Sequence, residues 1–227
     1  MILAVAAPAE ARAVLSVFGA DLSLAEHEWT LHPLAEGVEI LVTGVGKVNA
    51  AGALASVFSP SGHTSGHKVV VSLGVAGALP GSGLSIGNVV VALRSVYADE
   101  GVLTPEGFSD CEAMGFALGP TMEGGGVMHD AEVVAVLGRH ADRVGVIATV
   151  STCSGTDAGA AIVARRTGAI AEAMEGAAIG HVAARLGIRS AEVRAISNTT
   201  GDRAGQVWDL AAALAAVSHF TAGVFVR

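Results

Sequence analysis

Glu172-Ala-Met-Glu-Gly-Ala-Ala-Ile-Gly-His-Val182, then Ala195-Ile-Ser-Asn-Thr-Thr-Gly-Asp-Arg203, are the segments in which this chain gathers its unusual polar residues. From Met174 the apolar and small side chains recur at Ala177, Ala178, Val182 and Leu186, a helical period. That spacing puts Glu175 in the first turn of a helix that follows the short segment Ala169-Ile-Ala171. Backbone N–H groups and the helix dipole favour an ionised carboxylate there. A turn into a helix at the carboxyl end of a sheet is also where open α/β folds bind ligands. Glu192-Val-Arg-Ala-Ile196 reads as a strand that delivers Ser197 and Asn198 to the same sheet end. A plainer reading stays open, in which Glu175 serves only its own helix and Ser197-Asn198 begins a turn.

The rest of the chain supplies a scaffold for these segments. Its 227 residues show no break in composition, so residues 1–227 read as one domain, large enough to bury roughly 70% of its unfolded surface. Hydrophobic residues make up 52%, aromatics only 4%, and glycine numbers 30, which points to a core of Val, Ile, Leu and Ala with close backbone approaches. Such a core suits a buried, largely parallel sheet with helices on both faces: a three-layer α/β/α fold with a twisted, mostly parallel mixed sheet. Met1-Ile-Leu-Ala-Val-Ala-Ala7 is too short to span a membrane, lacks a preceding basic region and reads as the first core strand. Pro8 ends it, and a helix from Ala9 to Phe18 follows with Glu10 in its first turn, where a dipole-favoured surface glutamate is the alternative. Val38 to Thr43, Lys68 to Leu73, Gly87 to Leu93 and Val144 to Val150 read as further strands, and Asp130 to His140 and Asp209 to Val226 as helices. Ser59 to His67 is a loop by composition, its histidines exposed, and Pro105 to His129 is an irregular, Gly-rich excursion.

A charge of −8, from 13 basic and 21 acidic residues with no Lys/Arg cluster, argues against nucleic acid or an anionic membrane as partner. Two cysteines are too few for a disulfide framework, and no His/Cys spacing suits a metal, so no metal and no cofactor are expected and the compartment reads as reducing and cytoplasmic. Gly44-Val-Gly-Lys47 after a strand suggests a dinucleotide fingerprint, but its third glycine and the acidic residue at a following strand end are missing. Lys47 is read as solvated. Cys153 has no histidine or basic neighbour in its segment to activate it as a nucleophile.

Thr43-Gly-Val-Gly-Lys-Val-Asn-Ala-Ala51, Leu73-Gly-Val-Ala-Gly-Ala-Leu79, Met174-Glu-Gly-Ala-Ala178 and Arg194-Ala-Ile-Ser-Asn198 together resemble, in order and spacing, the purine nucleoside phosphorylase and nucleosidase superfamily. Ser151-Thr-Cys-Ser-Gly-Thr156, Asn198, Gly201-Asp-Arg203 and Trp208 are most similar to its futalosine-cleaving branch, which serves menaquinone biosynthesis. The resemblance implies a nucleoside phosphorylase-like fold, a small nucleoside substrate and a homo-oligomer, dimeric or higher. By the same resemblance Glu10 activates the attacking water, Glu175 holds the sugar hydroxyls, and Asn198 holds the purine at N7 and the six-position. Val75, Ala76 and Gly77 then line the sugar and base pocket, Thr152 and Cys153 meet the purine, and Met174, Arg194 and Ser197 are further substrate contacts.

Two departures bear on the reaction. Phosphorylases of the superfamily carry an arginine two residues before Gly74 for their anionic nucleophile, and this chain has Ser72 there, with Arg94 too isolated to substitute. Water is therefore the expected nucleophile. The superfamily's adenine-specific nucleosidases carry an aspartic acid at the position of Asn198, able to protonate N7 of a poor leaving group. An amide instead donates hydrogen bonds to the N7 and O6 acceptors of a 6-oxopurine, which favours hypoxanthine. The competing readings are a methylthioadenosine, adenosylhomocysteine or aminodeoxyfutalosine nucleosidase, a 6-oxopurine phosphorylase, and a nucleoside-binding protein without catalysis.

Overall fold

A computed structural model describes residues 1–58, 66, 68–116, 118–119 and 122–226. Most of the loop read at Ser59 to His67, including both its histidines, lies outside them. In chain order the elements are β1 (Ile2–Val5), α1 (Pro8–Val17), β2 (Leu31–Ala35), β3 (Val38–Val42), α2 (Lys47–Val57), β4 (Val69–Ala78) and β5 (Val89–Tyr97). There follow β6 (Gly101–Thr104), β7 (Gly107–Asp110), β8 (Met122–Glu123), β9 (Gly126–Met128), α3 (Ala131–Gly138), β10 (Arg143–Thr149), α4 (Asp157–Thr167), β11 (Ala171–Ala173), α5 (Gly176–Arg185), β12 (Arg189–Thr199) and α6 (Leu210–Phe225).

Burial on both faces explains the unbroken apolar strands. In β1, Leu3 and Val5 pack with α1 and α6, whereas Ile2 and Ala4 pack with α2 and α5. In β4, Val69, Val71 and Leu73 face the first group and Val70 the second. Helices thus cover both faces of a mixed sheet whose strands β3, β1, β4 and β12 run parallel, as do β5, β10 and β11. The fold is the three-layer α/β/α arrangement expected from composition.

The sheet also closes on itself. β4 pairs with β11, β11 with β10, β10 with β5, β5 with β12, and β12 with β4. This ring of five strands encloses Ala76, Ala78, Val90, Ala92, Ile147, Ala171, Ala173 and Ile196. An eight-stranded barrel is just wide enough for side chains to fill. A five-stranded ring has less room, and alanine supplies most of its interior.

Several expected elements differ in extent. The glycine segment after Leu73 continues β4 to Ala78, and Ser197 and Asn198 lie inside β12, so neither begins a turn. The Gly-rich excursion contains the β6–β7 hairpin's second strand and the short β8–β9 pair. β2 and α4 were not anticipated. α4 carries a readable signal, with Thr156 capping the amide of Gly159 and Gly168 closing the helix at φ 68°.

Candidate active site

At the carboxyl ends of β1, β4, β10 and β12 the loops enclose a cavity of about 220 Å³. Glu10, Val75, Ala76, Gly77, Cys153, Met174, Glu175, Ser197 and Asn198 line it, together with Glu172 and Trp208. A second cavity of about 350 Å³ shares Gly77, Cys153, Glu172, Asn198 and Trp208, and adds Ser154, Arg203 and Gln206. A larger space of about 410 Å³ beside Met128 and Ser190 has Asp130 as its one lining carboxylate, and that group caps α3.

Glu10 sits in the first turn of α1 and is 5% exposed. Its Oε2 accepts from the amides of Ala6 (3.2 Å) and Ala7 (2.9 Å), and its Oε1 from that of Val75 (2.8 Å). Burial pushes its pKa above the usual glutamate value, opposed by Arg194 and by the amides and reinforced by Glu175. Glu175 is the residue preceding α5 and is equally buried. Its Oε1 accepts from the amide of Gly46 (3.0 Å), and its Oε2 lies 3.3 Å from Nη2 of Arg194.

Arg194 stands behind the lining residues rather than among them. Its guanidinium, 1% exposed, lines neither cavity; it donates to Glu192 Oε1 (2.8 Å) and Ser72 Oγ (2.9 Å) and pairs with Glu175 from behind. The reason is strand parity: Arg194 lies two residues before Ile196 and shares its face. It holds the Glu175 carboxylate in place. Removing it would leave buried carboxylates without a counter-charge.

A register shift between Ile196 and Asn198 then changes the facing. Ile196 is opposite Ala76, yet Asn198 is opposite Gly77, so Ser197 is an extra residue in β12. In an unbroken strand Asn198 would share the interior face of Ile196; the bulge turns it into the cavity, as bulges beside sites do. Ser197 Oγ donates to Asn198 Oδ1 (2.8 Å), and Asn198 Nδ2 donates to the carbonyl of Thr199 (2.9 Å).

Thr152 is exposed and lines neither cavity, and its backbone amide meets Asp99. Cys153 does line both, but burial and then the neighbouring Glu172 and Glu175 push its thiol pKa up, opposite to what a nucleophile needs. Lys47 is paired with Asp99 and with Glu100 (3.1 Å) and is not simply solvated.

Further polar and aromatic side chains line the cavities beyond those expected from sequence. Glu172 accepts from the amide of Ser154 (2.7 Å) and from its hydroxyl (2.6 Å). Gln206 accepts from Trp208 Nε1 (2.9 Å) and Arg203 Nη1 (2.8 Å), and the guanidinium of Arg203 stacks 4.7 Å from the Trp208 ring. These residues form a polar and aromatic wall over the second cavity. Among the described residues no basic side chain lines the cavity that holds Glu10 and Glu175. Among the described residues no His/Cys/Asp/Glu group is arranged to hold a metal ion, and no helix is long and apolar enough to cross a membrane.

Comparison with known proteins places the chain in a family. Residues 3–225 match the phosphorylase superfamily. The futalosine hydrolase of Streptomyces coelicolor is 36% identical over 194 residues, covering 83% of this chain and 79% of that one. The futalosine hydrolase of Acidothermus cellulolyticus is also 36% identical, over 154 residues, covering 67% of this chain and 62% of that protein. Among solved structures, a Helicobacter pylori MTAN mutant with 5′-methylthioadenosine in its active site superposes with a TM-score of 0.73 at 21% identity, covering 98% of this chain and 96% of that one. At that identity the likeness speaks for the fold. On the match over residues 3–225 and on these relatives, the chain belongs to the phosphorylase superfamily, within the family of the futalosine hydrolases.

Proposed function

We propose that this chain hydrolyses the N-glycosidic bond of futalosine, releasing hypoxanthine and dehypoxanthine futalosine in menaquinone biosynthesis, and that residues 1–227 serve as one nucleosidase domain. The observation that carries this reading is a single cavity bringing together Glu10, Glu175 and Asn198 with no basic residue among the described ones on its lining. Breaking the bond requires a water on the face opposite the base, a negative group for the positive charge that grows on the sugar, and donors for the departing purine. Glu10 is the base for the water: its raised pKa brings it nearer the operating range of a general base, while three amides fix its direction. Glu175, oriented by Gly46 and Arg194, accepts from the sugar hydroxyls and faces the oxocarbenium-like charge. Asn198 donates to N7 or O6 of the base.

The absence of a lining cation supports water over phosphate, since a multiply charged nucleophile needs forked, charged donors. The working form is a homo-oligomer in the cytoplasm; Val48 and Leu103, 85% and 79% exposed, are large apolar side chains that a second copy would cover. A panel of futalosine, inosine and methylthioadenosine tests the proposal. Futalosine should give the highest kcat/KM, with hypoxanthine as the free base; no cleavage of futalosine, or a preference for methylthioadenosine, contradicts it.

A further inference from the structure

Asn198 alone does not define the base, because an asparagine amide also binds adenine through N6 and N7. The sheet register supplies a second reader. Glu172 of β11 is opposite Gly77 of β4, and Asn198 of β12 is opposite the same Gly77 from the other side. Glu172, Gly77 and Asn198 thus form one row across three adjacent strands, the outer two backbones separated by two strand spacings, about 10 Å. The residues flanking the row, Ala76, Ala78, Ala171, Ala173 and Ile196, face the ring interior. The row faces the opposite way, and all three of its members line both cavities. Gly77 leaves a gap between the carboxylate and the carboxamide; a Cβ there would lie 3.0 Å from Asn198 Nδ2 and 2.8 Å from Thr200 Cγ2. A gap flanked by a carboxylate and a carboxamide on strands two spacings apart has room for a purine read on both edges.

We propose that Glu172 is a specificity-determining residue whose carboxylate accepts the N1–H of a 6-oxopurine while Asn198 donates to N7 or O6 on the other edge. The inference deepens the proposed function and rests on its assignment of a purine nucleoside to this cavity. The carboxylate is 5% exposed, and among the described residues no Lys or Arg pairs with it. Ser154 donates once to each of its oxygens, which fixes the group and leaves each oxygen able to accept again. Burial raises its pKa, and the two Ser154 bonds oppose the rise by favouring the ionised form. A fixed, buried acceptor without a cation calls for a donor from the ligand. Hypoxanthine carries a hydrogen on N1, whereas adenine presents a lone pair there, so an ionised Glu172 accepts from the first and repels the second. The pair therefore discriminates where Asn198 by itself does not.

The test combines kcat/KM on futalosine with inhibition constants for hypoxanthine, 1-methylhypoxanthine and adenine, for wild type, Glu172→Gln and Ser154→Ala. Wild type should bind hypoxanthine at least about tenfold more tightly than either other base, the scale of one unmatched buried hydrogen bond. Glu172→Gln, whose amide can donate to adenine N1, should lower kcat/KM on futalosine at least about tenfold and compress the hypoxanthine-to-adenine ratio by a similar factor. Ser154→Ala should move both in the same direction by less. Equal wild-type affinities for hypoxanthine and 1-methylhypoxanthine, or a Glu172→Gln variant with an unchanged base ratio, overturns the role of Glu172 while leaving the hydrolase assignment standing. The wild-type comparison decides the matter should the variant not fold. A wild-type protein that cleaves no futalosine and binds none of the three bases overturns both.

Discussion

Glu10 and Glu175 carry the same functional group in different surroundings, and their proposed roles divide along that difference. Glu10 takes its hydrogen bonds from backbone amides, and burial raises its pKa against the pull of Arg194; Glu175 has that guanidinium at 3.3 Å. A general base must be ionised, so kcat/KM should fall as pH falls through the raised pKa of Glu10, and this acidic limb should lie above the range of an ordinary glutamate. Glu10→Gln should lower kcat at least ~10²-fold and remove the limb, whereas Glu175→Gln should cost a similar factor and keep it. Wild-type turnover in either variant, measured by release of hypoxanthine, contradicts the role given to that residue. At this scale the sequence was informative where polar residues interrupt Gly- and Ala-rich segments, as at Glu175 and Asn198. It did not reveal Glu172, although that residue opens the quoted segment, because its meaning lies in being opposite Gly77, nearly a hundred positions away in the chain. That Arg194 and Thr152 lie off the cavity lining is likewise illegible in a motif, which does not say which way each of its side chains points.

At the scale of elements, α5 approaches β12 closely enough that Gly176 admits no larger residue. A Cβ there would lie 1.9 Å from Glu192 Oε2 and 2.0 Å from its Cδ. Glu192 cannot retreat, since it is fully buried, bound by Arg194 at 2.8 Å and hydrogen-bonded by Ser95. Gly176→Ala should therefore destabilise the protein by about 1–3 kcal/mol or more and also lower kcat, because Arg194 shifts with Glu192 and Glu175 is held by Arg194. Denaturant unfolding together with turnover checks this; wild-type stability with wild-type kcat contradicts it. Apolar runs made the long strands legible, and Asp130 and Asp209 marked their helix starts as N-caps. β2, with a proline and alternating exposure, gave no such run, and the bulge at Ser197 cannot be read from a strand whose local sequence continues without a break.

At the scale of the whole molecule, closure of the five strands joins the site to a buried polar network. His129 contacts Ser95 Oγ (2.7 Å) and Ser190 Oγ (3.0 Å), and burial lowers its pKa from 6.5 to about 4. The folded protein keeps this imidazole neutral while the unfolded chain protonates it near 6.5. Its contribution is therefore complete above that pH and is lost as pH falls toward 4, on the order of 3 kcal/mol. Glu10 and Glu172, whose pKa values are raised, act in the opposite sense as they protonate, so the informative quantity is a difference between proteins. His129→Gln should show a smaller loss of unfolding free energy between pH 7 and pH 4 than wild type; parallel profiles contradict the assignment. Unbroken apolar strands between helices indicated a layered α/β fold, but the ring did not show in the sequence, because closure depends on β11, three residues long, pairing antiparallel with β4. The central claim is that this cavity uses water to release a 6-oxopurine. Incubating the protein with futalosine, with and without inorganic phosphate, and separating the products tests it most directly. Equal rates, with hypoxanthine and a free reducing sugar in both, is the predicted result; a rate that requires phosphate and yields a sugar 1-phosphate would contradict it.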